Sequence, residues 1–128
     1  MTTFTEAVLA RDAEAIEAML AEDVVFTSPV AFRPYQGRAI TAAILRGVLR
    51  VFEDFRYVRE IRDGRHHAYE FEAVVDGLKI NGCDFLTYDD DGKIIDFKVM
   101  VRPLTAATAL AARMGEQFER IKAEAAAQ

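Results

Sequence analysis

Between Phe55 and Arg102 the chain reads "FRYVREIRDGRHHAYEFEAVVDGLKINGCDFLTYDDDGKIIDFKVMVR", and through most of this stretch apolar residues recur at every second position. Alternation of that kind marks half-buried strands. Asp63-Gly64, Asp76-Gly77 and Asp90-Asp91-Gly92 are turn signals that divide it into four segments, each long enough for a strand. Four strands joined by short turns form an antiparallel meander. Asp84 is the anomaly: a carboxylate between Cys83 and Phe85, early in a strongly apolar strand. It shares a face with Leu86, while Cys83, Phe85 and Thr87 lie opposite, and periodicity alone leaves its direction open.

Outside the meander the period is helical. Residues 2–21 read as helix, with a break at Arg11-Asp12 and Asp12 as N-cap of a second short helix, residues 13–21. "DVVFTSPV" reads as a strand ended by Pro29, and "AFRPYQGR" as a loop. "AITAAILRGVLRVF" places Ile40, Ile44, Leu45, Val48, Leu49 and Phe52 on one helical face. After Pro103, residues 105–126 return to helix, with an apolar stripe of Ala107, Ala111, Met114, Phe118, Ile121 and Ala125. Helices followed by a long antiparallel sheet indicate an α+β fold, and no linker or repeat divides residues 1–128.

Bulk properties narrow the function. With 52% hydrophobic and 29% charged residues, the chain has the composition of a packed domain rather than a disordered one. A net charge of -5 disfavours nucleic acid and anionic membrane surfaces as partners. One cysteine forms no internal disulfide, and the N-terminus lacks a basic, apolar leader, so a cytoplasmic protein is expected.

Two segments, "LAEDVVFTSPVAFRPYQGRAITAAI" and "INGCDFLTYDDDGKIIDFKVMVRPL", together with the helices before them, resemble the nuclear transport factor 2-like superfamily in its SnoaL-like and ketosteroid isomerase-like branch. The resemblance covers about residues 4–104. It implies a cystatin-like cone: a curved antiparallel sheet wrapped around N-terminal helices, with a pocket at the wide end and often a homodimer paired through the sheet. Asp84 matches the family's strand carboxylic acid, which in the isomerases faces the pocket as a protonated hydrogen-bond donor. The same register points Tyr69, Phe71, Phe97 and Val99 at the pocket. Two isomerase positions depart from the family: the general base falls on Ser28 and the oxyanion tyrosine on Phe4. A standard ketosteroid isomerase is therefore not expected.

The expected pocket is apolar, lined by Phe26, Phe32, Phe71, Leu86, Phe97 and Val99, with Asp84 as its polar anchor and Ser28 as a candidate ligand contact. The other reading of Asp84 is a structural acid that caps a backbone group or pairs with an arginine. His67 is a candidate proton acceptor beside Asp84, at the rim. Tyr35, Tyr57 and Tyr69 are candidate donors to a ligand, with packing as the competing explanation. His66 and His67, adjacent on a strand, point to opposite faces and cannot chelate one ion; "DDDGK" lacks the distal acid of a calcium loop. No metal or cofactor is expected. The reading that results is a binder of a small hydrophobic ligand, as a cofactor-free isomerase, cyclase or dehydratase or as a non-catalytic binding or homodimerisation module.

Overall fold

A computed structural model of the chain describes residues 2–127. Two short helices, α1 (Phe4–Leu9) and α2 (Ala13–Met19), open it. Thr3 caps α1 in a capping box with Glu6, and the Ala15 N–H donates to Asp12 Oδ1 at 3.1 Å to start α2. Between them Arg11 takes a left-handed conformation at φ 56°, the break expected there. Strand β1 (Leu20–Thr27) follows, then the two-residue β2 (Tyr35–Gln36), helix α3 (Arg38–Val51), the meander β3 (Glu53–Asp63), β4 (His66–Val75), β5 (Leu78–Tyr88) and β6 (Ile94–Arg102), and the long helix α4 (Leu104–Ala126).

The six strands form one sheet in the order β2-β1-β6-β5-β4-β3, with β1 parallel to β6 and the other neighbours antiparallel. The chain is α+β as expected. One boundary differs: Leu20 ends the helix that the periodicity carries to residue 21, because it pairs with Ile94 in the sheet and both are fully buried. The loop after β1 also contains β2, whose Tyr35 pairs with Phe26.

Two β-bulges decide which residues face the helices. In β6 the ladder shifts between Thr87↔Asp96 and Tyr88↔Ile94. Ile94 is therefore buried with Phe97, and Ile95, which strict alternation places on that face, is not. In β3 the register shifts between Tyr57↔Phe71 and Arg59↔Glu70. Phe55 and Tyr57 stand on the concave side, and beyond the bulge Arg59 and Ile61 turn to the convex side.

Helix α4 folds over its own chain. Ala106, Leu110 and Ile121 are buried, and Gly47 of α3 lets Ile121 approach so closely that a Cβ there would lie 3.0 Å from its Cδ1. Glu124 fastens the two helices through ion pairs to Arg46 (2.9 Å) and Arg50 (3.0 Å). Burial raises the Glu124 pKa, but the two arginines outweigh it and hold the carboxyl below its ordinary range. Among the described residues no helix is long and apolar enough to cross a membrane.

Candidate functional site

The concave face of the sheet and the helices enclose a cavity of about 450 Å³. That is within the range of pockets that hold small organic molecules. Its walls come from every layer: Phe4 and Val8 of α1, Phe26 of β1, Leu45 and Val48 of α3, Phe71 of β4, Phe97 and Val99 of β6, and Met114 and Phe118 of α4. The polar groups on this wall are few: Asp84, Ser28, Tyr35, Tyr57 and Arg11.

Asp84 points inward and is 7% exposed. Across the sheet it lies between Tyr69 on β4 and Val99 on β6, with Gly82 and Leu86 as its same-face neighbours along β5. Among the described residues no group donates a hydrogen bond to its carboxyl and no arginine or lysine pairs with it. Burial alone pushes its pKa up to about 8, so the acid is largely protonated at neutral pH. The alternative of a capping or arginine-paired structural acid has no partner here. The adjacent Cys83 thiol is raised as well, by burial first and by the Asp84 charge second.

A glycine shapes the floor beside the acid. Phe71 pairs directly with Gly82, and its ring lies over the glycine: a Cβ at position 82 would fall 2.4 Å from Phe71 Cζ and 2.9 Å from the Met100 carbonyl oxygen. The ring stacks on Phe55 at 5.0 Å and touches Phe52 at 5.6 Å. This aromatic set makes the cavity wall apolar near Asp84.

The other sequence-derived positions divide. Phe26, Ser28, Tyr35, Phe71, Phe97 and Val99 line the cavity with Asp84. Tyr69 and Leu86 face the same side and are buried, but in the core outside the cavity lining. Phe32 is 97% exposed: it lies in the loop between β1 and β2, where no strand alternation holds its ring inward. His67 also stands outside the lining; its Nδ1 shares a 2.6 Å hydrogen bond with Tyr69 Oη, and its ring packs on Tyr88 at 4.7 Å. The acceptor role considered for His67 therefore has no direct path to a ligand in the cavity. Ser28 Oγ accepts from the Val30 N–H at 3.1 Å, which turns the loop. Phe4 brings a ring and no hydroxyl, packed on Tyr69 and Phe97.

Two lining groups stand out only in the structure. Arg11 lines the mouth and donates to the Leu49 carbonyl. Tyr57 is one of three candidate tyrosines in the sequence; the structure distinguishes it, because its hydroxyl is buried with no hydrogen-bond partner among the described residues. Among the described residues no group of three His, Cys, Asp or Glu side chains converges as metal ligands.

Residues 1–97 match the SnoaL-like domain family. Of solved structures, a steroid delta-isomerase from Pseudomonas aeruginosa is 41% identical, with a TM-score of 0.86, covering 91% of this chain and 87% of that one. An uncharacterised protein with a cystatin-like fold from Silicibacter pomeroyi is 35% identical, with a TM-score of 0.85 and coverage of 94% and 90%. An NTF2-like protein of unknown function from Mesorhizobium loti shares the fold at 17% identity, with a TM-score of 0.69 over 78% and 85%. No curated protein sequence matches. The domain match and the shared cone of sheet and helices place this chain in the SnoaL-like family of the nuclear transport factor 2-like superfamily.

Proposed function

We propose that the protein binds a small, mostly apolar carbonyl compound in the cavity and presents protonated Asp84 to its oxygen as a hydrogen-bond donor or acid. The observation that carries this reading is a buried carboxyl with no protein partner on the wall of an apolar cavity of about 450 Å³. A carboxyl kept neutral by burial donates a hydrogen bond, and such a donor stabilises charge that develops on a carbonyl oxygen. The reaction is then a cofactor-free isomerisation, cyclisation or dehydration. The 41% identical neighbour called a steroid delta-isomerase supports this class.

It does not extend to that neighbour's substrate. Ser28 stands at the position where the resemblance expects a carboxylate base, and it is tied to the Val30 N–H. A hydroxyl without an adjacent base does not take a proton at neutral pH. The same absence favours the second reading, a binding protein that holds its ligand without turnover.

Incubating small cyclic ketones with the protein in D2O separates the two. Deuterium uptake at the carbon next to the carbonyl, lost in Asp84→Asn while affinity persists, supports the catalytic reading. Saturable binding with no uptake leaves the binding reading, and no binding of any ketone refutes both.

A homodimer paired through the convex sheet face belongs to the same proposal. Ile61, Phe85 and Met100 are 53%, 41% and 55% exposed there. They flank a shallow groove with Arg59, Glu70 and Arg102. Sedimentation should give a dimer for the wild type and a monomer for Met100→Lys; a wild-type monomer refutes it.

A further inference from the structure

Helices α3 and α4 each hold a glycine in their interior, for different reasons. Gly47 of α3 is a packing glycine: a Cβ there would lie 3.0 Å from Ile121 Cδ1 and 3.4 Å from Met114 Cε. A Cβ on Gly115 of α4 would meet nothing within 4 Å among the described residues, its own helix backbone and chain neighbours aside. Nor is Gly115 one of the glycines with a positive φ. Glycine in a helix interior costs stability relative to alanine, and neither close approach nor backbone conformation accounts for it at this position. What Gly115 does leave is space on the cavity wall. Ala111, Met114, Gly115 and Phe118 recur at helical spacing on one face of α4, and all four line the cavity. Met114 reaches α3, and Phe118 reaches Tyr35 of β2 at 6.5 Å. Ala111 and Gly115, one turn apart in the neighbouring row, line the cavity and yet are exposed, so the wall is open there. The family match ends at residue 97, and this stretch of wall lies outside it.

We propose that Gly115 is a specificity-determining residue: it keeps a notch in the α4 wall that admits an alkyl substituent, and the ligand is a ring compound carrying a short alkyl chain rather than a compact ring alone. This rests on the reading that the cavity binds a small, mostly apolar compound. The ring belongs among the aromatic side chains of the cavity, and the chain leaves past Ala111 and Gly115, where nothing larger than a methyl group stands on the helix. Its end meets water. A side chain at position 115 would project into that path, so the size of this residue sets how much of the chain the protein accepts. Methylenes that pass Met114 and Phe118 on the way out add affinity, because removing each from water is favourable. Selection by length is thus separate from whatever Asp84 does at the polar end.

The test uses cyclohexanone and its 4-ethyl, 4-butyl and 4-hexyl derivatives, with affinities taken from NMR titrations of wild type, Gly115→Ala, Gly115→Leu and Ala112→Leu. Ala112 is exposed and outside the cavity lining, so its variant reports what a leucine on α4 does by itself. In the wild type each methylene that enters the notch should raise affinity by up to about fourfold. Gly115→Leu should abolish that gain while cyclohexanone itself binds as before. Gly115→Ala should reduce the gain, and Ala112→Leu should leave the whole series unchanged. Without ligand, Gly115→Ala should melt a few degrees higher than wild type, because the added methyl group clashes with nothing and alanine is the better helix former. A lower melting temperature would mean that the glycine serves the fold, which overturns the inference. So would a wild type that binds cyclohexanone with no gain along the series, a gain that survives in Gly115→Leu, or losses in Gly115→Leu that are equal for ring and chain or matched by Ala112→Leu; each of these leaves the pocket reading standing. A wild type that binds none of these ketones overturns the pocket reading and this inference with it.

Discussion

Replacing Asp84 by asparagine tests the central electrostatic claim without any ligand. In the unfolded chain an aspartate ionises near its ordinary pKa, about 3.9; in the folded protein burial holds Asp84 near 8. A folded-state pKa raised in this way makes stability greatest below the unfolded value, where both states carry the proton. As pH rises the unfolded state releases its proton first, and stability falls until the folded acid also ionises. From about pH 5 to about pH 7 this single group costs about 2.6 kcal/mol, close to the limiting slope of about 1.36 kcal/mol per pH unit. The asparagine side chain of the variant has nearly the same shape and no proton to release. Urea unfolding of wild type and Asp84→Asn at intervals over that range gives the difference directly, because the other ionisations are shared and cancel. The variant should gain on the wild type by about 2.6 kcal/mol between the two ends. Parallel curves would refute the reasoning, since they would mean that the carboxyl is solvated or paired in the folded state.

Two more substitutions probe the frame that holds the acid. Gly82→Ala drives a methyl group into the Phe71 ring and the Met100 carbonyl; it should cost about 1–3 kcal/mol by overpacking and displace Phe71 into the cavity, measurable as a lower urea midpoint with weaker ligand affinity. Glu124→Ala leaves Arg46 and Arg50 without their shared carboxylate on α4. Arg46 keeps Glu17 and Arg50 keeps Gln117, so the loss should be about 1–2 kcal/mol, with faster hydrogen exchange in the last turns of α4; unchanged exchange would mean that the buried Ile121 contact alone anchors the helix.

Local signals carried most of the architecture. Asp12 was readable as a cap because a helix of suitable period follows it, and the three Asp- and Gly-rich turns were readable because few other sequences close a hairpin. What failed to show depends on partners distant in the chain. Ile94 rather than Ile95 is buried because of a bulge, and bulges are set by the neighbouring strand. The direction of Asp84 follows from its register between Tyr69 and Val99, since both faces of its own strand are apolar enough to fit. Phe32 drew a pocket assignment from its aromatic character, but an aromatic residue in a loop has no alternation to orient it. Tyr57 needed the structure most: that a hydroxyl lacks an acceptor is a statement about everything around it.

Asp84 and Tyr57 together argue for a ligand more strongly than either does alone. Neither group is answered within the fold: burial holds the Asp84 pKa up, and among the described residues the Tyr57 hydroxyl is a buried donor without a bond. A mostly apolar wall carries these two unpartnered groups, and two of its other polar groups are differently engaged: Ser28 Oγ accepts from the loop, and Arg11 donates to the Leu49 carbonyl. Both groups face the cavity, and among the described residues neither finds a hydrogen-bond partner, so whatever answers them comes from a ligand or solvent.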